Sequence, residues 1–237
     1  MRKWIISGTV AVLALTLAAV ALAGFTQTSV IKFTTHKSGH STGVSANLVT
    51  ADDTVSQPKA TKKLVIEFPA GTRFNLSALK RCTTSDRKLR DQFGPGCPRG
   101  SHIATGEAEL NQWQMVATGI PSTVRAYAGK GNIILVVRPT ITALKSQIVV
   151  LHARLSGSTI TVAVPRIMWG ADKKSKPPFP GVKVVLVSFK LTIPARGSGS
   201  HALVRAGRCA AHKFVVHSRF YYDDGTKFAT KTSSPCS

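Results

Sequence analysis

The chain has 237 residues and carries 32 Lys and Arg against 10 Asp and Glu, which gives a formal net charge of +22. Acidic residues this scarce argue against a large acidic catalytic surface or a calcium-binding surface. Apolar residues make up 43% of the chain, as in ordinary globular proteins, so the composition also argues against wholesale disorder.

The first 23 residues are typical of a secretory signal peptide. Arg2 and Lys3 precede an apolar run that ends in the small-x-small step Ala21-Leu22-Ala23, so we expect cleavage after Ala23. The alternative is an uncleaved membrane anchor, because the run is nearly long enough to span a bilayer. The sequence therefore predicts a secreted or cell-envelope protein.

Residues 24–60 are predicted to form one strand followed by a flexible polar loop. The strand covers residues 29–35, where polar and apolar residues alternate. Residues 36–60 are rich in Ser and Thr and contain His36 and His40, which could meet only on a helix. Gly39 and the Ser and Thr neighbours favour a loop, so we expect no metal site here.

Residues 61–237 are predicted to form, with the preceding strand, a single all-β domain with the architecture of an antiparallel β-sandwich. No long amphipathic helix separates the strands, which argues against a parallel α/β fold. Residues 133–137 are apolar at consecutive positions, which indicates a central strand covered on both faces. The predicted strands of this domain are residues 63–68, 101–110, 112–118, 123–128, 132–138, 147–155, 159–164, 182–193 and 213–222.

The four cysteines are Cys82, Cys97, Cys209 and Cys236. An even number in an exported chain favours two disulfides, and the absence of CxxC pairs argues against a zinc site. Four cysteines allow three connectivities. We favour Cys82–Cys97 with Cys209–Cys236, because each pair then brackets a self-contained unit.

The first bracketed unit is predicted to contain one short helix. Ser85 can cap its start, Gly94 can end it, and Leu89 and Phe93 would form its apolar stripe.

The second bracketed unit is predicted to be a β-hairpin. Residues 213–222 form its first strand, Asp224-Gly225 forms a type I′ turn, and residues 226–230 return.

Several motifs of the chain resemble those of a known group of proteins. They are Phe68-Pro69-Ala70-Gly71-Thr72-Arg73-Phe74-Asn75, Cys97-Pro98-Arg99-Gly100-Ser101, and the cysteine-bracketed hairpin that ends in Ser234-Pro235-Cys236. Over roughly residues 60–237 the chain resembles uncharacterised secreted proteins of actinobacteria, predicted to be Ig-like or jelly-roll-like β-sandwiches with two disulfides. The motifs are structural, so the resemblance implies a fold and export and supplies no functional residues.

Two stretches concentrate the positive charge and supply the predicted binding residues. They are Lys80, Arg81, Arg87, Lys88, Arg90 and Arg99 around the first disulfide, and Lys173, Lys174 and Lys176 in a proline-rich loop over residues 171–180. Basic surfaces attract polyanions through long-range fields and counterion release. Outside the cell the partner would be a cell-wall polymer, an acidic polysaccharide, anionic lipid headgroups or DNA. Aromatic residues are only 7% of the chain, which does not support a stacking platform for single-stranded nucleic acid.

Glu107 and Glu109 are the candidate catalytic pair. Two residues apart on one strand, they would project from the same face, and paired carboxylates serve as acid and nucleophile in some glycoside hydrolases. A solvated strand face explains the same pattern.

The remaining histidines give no metal site either. His212 and His217 are five residues apart, so on one strand they would face opposite sides. We expect neither a metal nor a cofactor.

These observations favour a non-enzymatic extracellular or cell-envelope interaction module that binds anionic polymers through its basic patches. One alternative is a secreted carbohydrate-active hydrolase that uses Glu107 and Glu109. The other is a purely structural envelope protein. The oligomeric state is left open.

Overall fold

The structure is a computed structural model, and it describes residues 25–52, 59–91, 96–112, 119–145, 147–164, 168–169 and 182–237. The predicted signal peptide and its cleavage site, the proline-rich loop at 171–180 and most of the predicted strand at 112–118 lie outside these ranges. The long strands are β1 (Phe25–Phe33), β2 (Val44–Asp52), β3 (Thr61–Glu67), β5 (His102–Gln112), β6 (Ile120–Ala128), β7 (Asn132–Pro139), β8 (Val149–Ser156), β9 (Thr159–Ala163), β11 (Val182–Ile193), β13 (Lys213–Tyr222) and β14 (Lys227–Pro235). The short elements are β4 (Arg73–Phe74), β10 (Met168–Trp169), β12 (Val204–Arg205) and the one-turn helix α1 (Asp86–Arg90).

The long strands form one continuous antiparallel sheet in the order β1-β2-β11-β5-β6-β7-β8-β9-β3-β13-β14. Strand β10 pairs with β11, and β4 with β12 forms a separate two-stranded ribbon. The predicted all-β antiparallel fold is confirmed, and the short helix lies inside the first disulfide loop as predicted. The sheet curls until its edge strands β1 and β14 contact each other, and the predicted sandwich arrangement stays a prediction.

The seam between the edge strands β1 and β14 is made in part by a side chain. The Thr232 hydroxyl donates to the carbonyl oxygen of Ser29 at 2.7 Å, and it accepts from the backbone N–H of Ile31 at 3.3 Å. Inside the seam, the hydroxyls of Ser29 and Ser218 are 3.0 Å apart and buried. The curled sheet is therefore nearly closed.

Strict alternation along the strands decides which side chains face the interior. In β1 every odd-numbered residue from Phe25 to Phe33 is buried and every even-numbered residue is exposed. A period of two is what a strand with one solvated face requires. Strand β7 differs, because residues 133–137 are buried at every position. It is covered on its outer face as well, which confirms the predicted central strand.

One end of the interior is filled by aromatic side chains. The ring of Phe33 lies 4.9 Å from that of Phe214 and 5.8 Å from that of Phe68, and Phe68 lies 5.2 Å from Phe74. Phe74 belongs to β4, and the β4–β12 ribbon covers this end of the sheet with Leu203 and Val204, both buried. We call this group the aromatic cluster.

Strand β2 corrects the predicted loop over residues 36–60. Residues 44–52 form a strand between β1 and β11, in register with both. Its inward positions include Val44, Leu48 and Thr50, while Ser45 and Val49 are exposed. The pattern was missed because only two of its inward residues are large and apolar, and the neighbours in the sheet stabilise a segment of weak strand propensity.

Both predicted disulfides are present. The Cα atoms of Cys82 and Cys97 are 5.0 Å apart, and those of Cys209 and Cys236 are 5.8 Å apart. Ser85 stands at the N-cap of α1, but its side chain makes no capping hydrogen bond, so that detail of the prediction is wrong. Phe93 and Gly94 lie outside the described residues.

The turn between β13 and β14 is also corrected. Gly225 has a φ of +87°, whereas Asp224 is not among the residues with positive φ, so the turn is not type I′. The N–H of Gly225 donates to the carbonyl of Tyr222 at 3.2 Å, and the N–H of Tyr222 donates to that of Thr226 at 3.0 Å. Residues 223–225 therefore form a three-residue loop in which Gly225 takes the left-handed conformation. Such loops are the next most common hairpin connection after two-residue turns.

Candidate functional site

The first disulfide loop is tied to the outside of the curled sheet. The backbone N–H of Cys82 donates to the carbonyl of Ala128 at the end of β6, at 2.7 Å. The N–H of Lys80 donates to the carbonyl of Gly100 at 3.1 Å, which joins the two ends of the loop. The hydroxyl of Thr84 adds a bond to the carbonyl of Gly96 at 3.2 Å. The loop is therefore held by its backbone as well as by the disulfide.

A second, smaller apolar cluster fixes the loop to the sheet. Leu89 of α1 is only 2% exposed and is the one buried residue of that helix. The other buried members of the cluster are Cys82, Tyr127, Ile134, Val136, Ile148 and Val150. Four of these six come from the outer faces of β6, β7 and β8. We call this group the satellite cluster, since it lies on the opposite side of the sheet from the interior.

With Leu89 pointing inward, the charged residues of the loop point to solvent. The six predicted residues are all exposed, and we call them the basic loop surface: Lys80, Arg81, Arg87, Lys88, Arg90 and Arg99. The structure thus brings the six together on one tethered segment. The last turn of α1 holds three of them.

The loop has two carboxylates within its described part, Asp86 and Asp91. Asp86 is engaged by the sheet, because the Nε2–H of His152 donates to its carboxylate at 3.0 and 3.1 Å. Asn132 donates to Nδ1 of the same ring at 2.7 Å and so orients it. Arg90 is farther from Asp86, at 3.9 Å. The described loop and its ends thus carry six cations and two carboxylates, and one of these two carboxylates is bound by His152.

The second predicted basic stretch lies outside the described residues, since these include none of Lys173, Lys174 and Lys176. The structure therefore leaves these three binding residues as predictions.

Glu107 and Glu109 lie on the outer face of β5. Glu107 is exposed and Glu109 is half-buried, whereas Ala108 and Leu110 on the opposite face are buried. Across the sheet Glu107 is in register with Lys190 and with Thr123. The two carboxylates share a face, and that face is turned away from the enclosed interior.

Sequence reasoning missed a second basic surface, on the outer face of β3, β13 and β14. The Lys63 ammonium lies 4.2 Å from the centre of the Tyr221 ring, and that of Lys227 lies 5.9 Å from it. Arg219, two residues along β13 on the same face, is ion-paired with Glu67. We call this the hairpin surface. Its residues come from three strands, so they form no contiguous run of charge in the sequence.

His102, at the start of β5, lies among cations. Burial lowers its pKa below the ordinary value, and Arg196 and Arg125 lower it further. The Arg196 guanidinium donates to the backbone carbonyl of His102 at 2.8 Å, and the imidazole contacts the Thr105 hydroxyl at 3.0 Å. The neutral imidazole is thus favoured in a strongly positive environment.

No known protein family, curated protein or solved structure matches the chain. The resemblance to secreted actinobacterial sandwiches therefore stays a prediction. Two disulfides indicate an oxidising environment such as the outside of the cell. Among the residues that the structure describes, no helix has the length and apolar character needed to cross a membrane.

Proposed function

We propose that this protein is an exported, non-enzymatic binding module for linear anionic polymers outside the cell or in its envelope. The observation that carries the proposal is the basic loop surface. Six exposed cations stand on one tethered loop whose described part holds two carboxylates, and one of these two, Asp86, is bound by His152.

The chemistry of the surface suits phosphate or sulfate groups. Four of its six cations are arginines, whose planar guanidinium groups bind such oxyanions through two parallel hydrogen bonds. Each polymer charge that is neutralised releases condensed counterions, so the affinity should fall steeply with salt. The hairpin surface would extend the contact of a long polymer to another side of the molecule.

Export is part of the proposal. It is supported by the signal-peptide pattern of residues 1–23, with cleavage after Ala23, and by the two disulfides, which persist in oxidising compartments. N-terminal sequencing of the protein recovered from culture medium or envelope would test it. A mature chain that begins at Gly24 is the expected result.

The binding test compares two triple variants with the same loss of charge. Arg87→Gln, Lys88→Gln and Arg90→Gln together remove half of the basic loop surface. The control is Lys32→Gln, Lys37→Gln and Lys145→Gln, three exposed lysines on other elements. Affinity for heparin and for a poly(glycerol phosphate) would be measured by titration from 50 to 300 mM salt.

We expect the loop variant to bind more weakly and to show a slope of log affinity against log salt smaller by about two to three, since each lost phosphate contact removes about 0.7–0.9. The control should move much less. Equal losses in both variants would mean that only net charge matters, and no binding by the unmodified protein at 50 mM salt would refute the proposal.

The other two predicted functions differ in what they require. The observation that supports a hydrolase is that the carboxylates of Glu107 and Glu109 lie on one face of β5. Such an enzyme should lose any activity on a panel of polysaccharides when either residue is changed to Gln. A purely structural envelope protein should show neither polymer binding nor turnover.

A further inference from the structure

The interior of the curled sheet is not filled. An apolar cavity of about 150 Å³ lies between the inward faces of its strands. Its lining includes Leu135, Leu151, Leu186, Phe189 and Leu191, from β7, β8 and β11. The last four are half-buried although they point away from the outer surface, as expected of side chains that border an empty space. Native cores rarely leave a void of this size.

Small residues at inward positions explain the void. Ala46, Ala108 and Ala153 line the cavity from β2, β5 and β8, where larger side chains would reach across it. At one end the aromatic cluster closes the interior, with Phe68 at the boundary. At the other end of β3 the cavity is lined by Thr61, which is half-buried, so this end is the less tightly covered one.

The polar groups near the cavity bond to one another. The Gln27 side-chain carbonyl accepts from the Thr50 hydroxyl at 2.7 Å and from the Tyr222 hydroxyl at 2.9 Å. Its amide donates to the carbonyls of Thr28 and Val49, both at 3.1 Å. Burial raises the pKa of Tyr222 far above its ordinary value, so this hydroxyl keeps its proton and acts as a donor. The amide of Gln27 is thus saturated and offers a ligand no free hydrogen-bonding group.

We infer that this cavity is a binding site for an unfunctionalised hydrocarbon group, either an aryl ring or the end of an acyl chain. An apolar protein cavity of about 150 Å³ stays dry and takes benzene or xenon, so the volume sets the size of the group. The lining sets its chemistry, because it is almost wholly apolar and the Gln27 amide is already saturated, so a ligand with a buried polar group would lose more hydration than it regained. The inference is independent of the basic surfaces.

The test titrates benzene into the purified, oxidised protein, and binding is measured by calorimetry and by the chemical shifts of methyl groups. Saturable binding is expected, with shifts confined to cavity-lining methyl groups. Ala153→Leu fills the cavity and should weaken benzene binding by about tenfold or more, since the ligand and the new side chain compete for one volume. The matched control is Ala229→Leu, on the exposed face of β14, which should bind benzene like the unmodified protein.

Two arms distinguish the source of the hydrocarbon. Binding of benzene alone would indicate a free small molecule, whereas binding of monomeric dihexanoyl phosphatidylcholine as well would indicate an acyl chain. If Ala153→Leu does not fold, Ala46→Val fills less of the cavity and can replace it. The ¹²⁹Xe chemical shift of dissolved xenon tests for binding in the cavity without any variant. Absence of saturable benzene and xenon binding, or equal benzene affinity in a folded Ala153→Leu variant, would overturn the inference.

Discussion

The two disulfides bracket two different kinds of segment, one outside the sheet and one within it. Cys82–Cys97 closes the loop that contains helix α1 and lies outside the sheet, where Leu89 and its neighbours form the satellite cluster. Cys209–Cys236 staples the ends of a hairpin whose first strand, β13, contributes Phe214 and Phe220 to the main core.

The two segments differ in what a mutation in them would change. The first disulfide loop with its two ends, the outer unit, carries six exposed cations and packs on the satellite cluster, so its charges can change without disturbing the interior. The hairpin of β13 and β14, the inner unit, forms one edge of the sheet, so changes there affect the whole fold. A disulfide thus anchors a surface loop in one place and joins the ends of an edge hairpin in the other.

The largest expected effect is on the inner unit. Phe214 is 1% exposed and packs edge-on against Phe33 at 4.9 Å, so Phe214→Ala should lower the free energy of unfolding by about 3–5 kcal/mol. Urea denaturation followed by circular dichroism measures this. Phe228→Ala, at a half-buried position of the same hairpin, is the control and should cost less. Equal losses would show that the aromatic cluster has no special part in stability.

Removing each bridge sharpens the comparison. In the loop-entropy picture Cys209→Ser with Cys236→Ser should cost about 3.5 kcal/mol, and Cys82→Ser with Cys97→Ser about 3 kcal/mol. The sequence separations of 27 and 15 residues give this small difference in size. The larger contrast is in extent: hydrogen exchange should accelerate throughout the sheet in the first variant and mainly around the loop in the second. If hydrogen exchange accelerated throughout the sheet in both variants, the two units would not differ in how far their disulfides stabilise the fold.

Leu89→Ala tests whether the satellite cluster holds the basic loop surface. The loss of a 2%-exposed leucine should cost about 2–3 kcal/mol, at the low end for such a change because the cluster is small and at the surface. Trypsin should then cut after Arg87, Lys88 or Arg90 much faster than in the unmodified protein. Cleavage at an unchanged rate would mean that the disulfide and the backbone hydrogen bonds order the loop without the satellite cluster.

The smallest expected effect is the pH dependence that His102 contributes. Since its pKa in the folded protein lies below the ordinary value of 6.5, the unfolded chain binds the proton more readily. Stability should therefore decline as the pH falls through 6.5, and His102→Gln should reduce the decline between pH 7.5 and 5.5. His201→Gln, at an exposed position, is the control. An identical pH dependence in all three proteins would contradict the prediction.

The elements with dense β-branched residues could be predicted from the sequence. The bounds of β11 and β13 agree with the predicted residues 182–193 and 213–222, and both disulfides agree. Strand β2 escaped because Ser45, Ala46 and Asn47 carry little strand propensity, and pairing with β1 and β11 supplies what the local sequence lacks.

Of the candidate sites, one could also be predicted from the sequence and two could not. The basic loop surface could be predicted because its cations are close in sequence and one disulfide gathers them. The hairpin surface could not, since Lys63 comes from a distant strand and meets Tyr221 only through the register of β3 with β13. The cavity depends on how far the sheet curls, which no local pattern encodes.

The seam between β1 and β14 has a consequence for how the protein is made. The Thr232–Ser29 bond joins residues 203 positions apart, so the first strand finds its edge partner only after nearly the whole chain has been synthesised. Contacts so distant in sequence make folding slow, because a long loop must be ordered before they form. A growing chain therefore cannot complete this sheet before β14 has been synthesised.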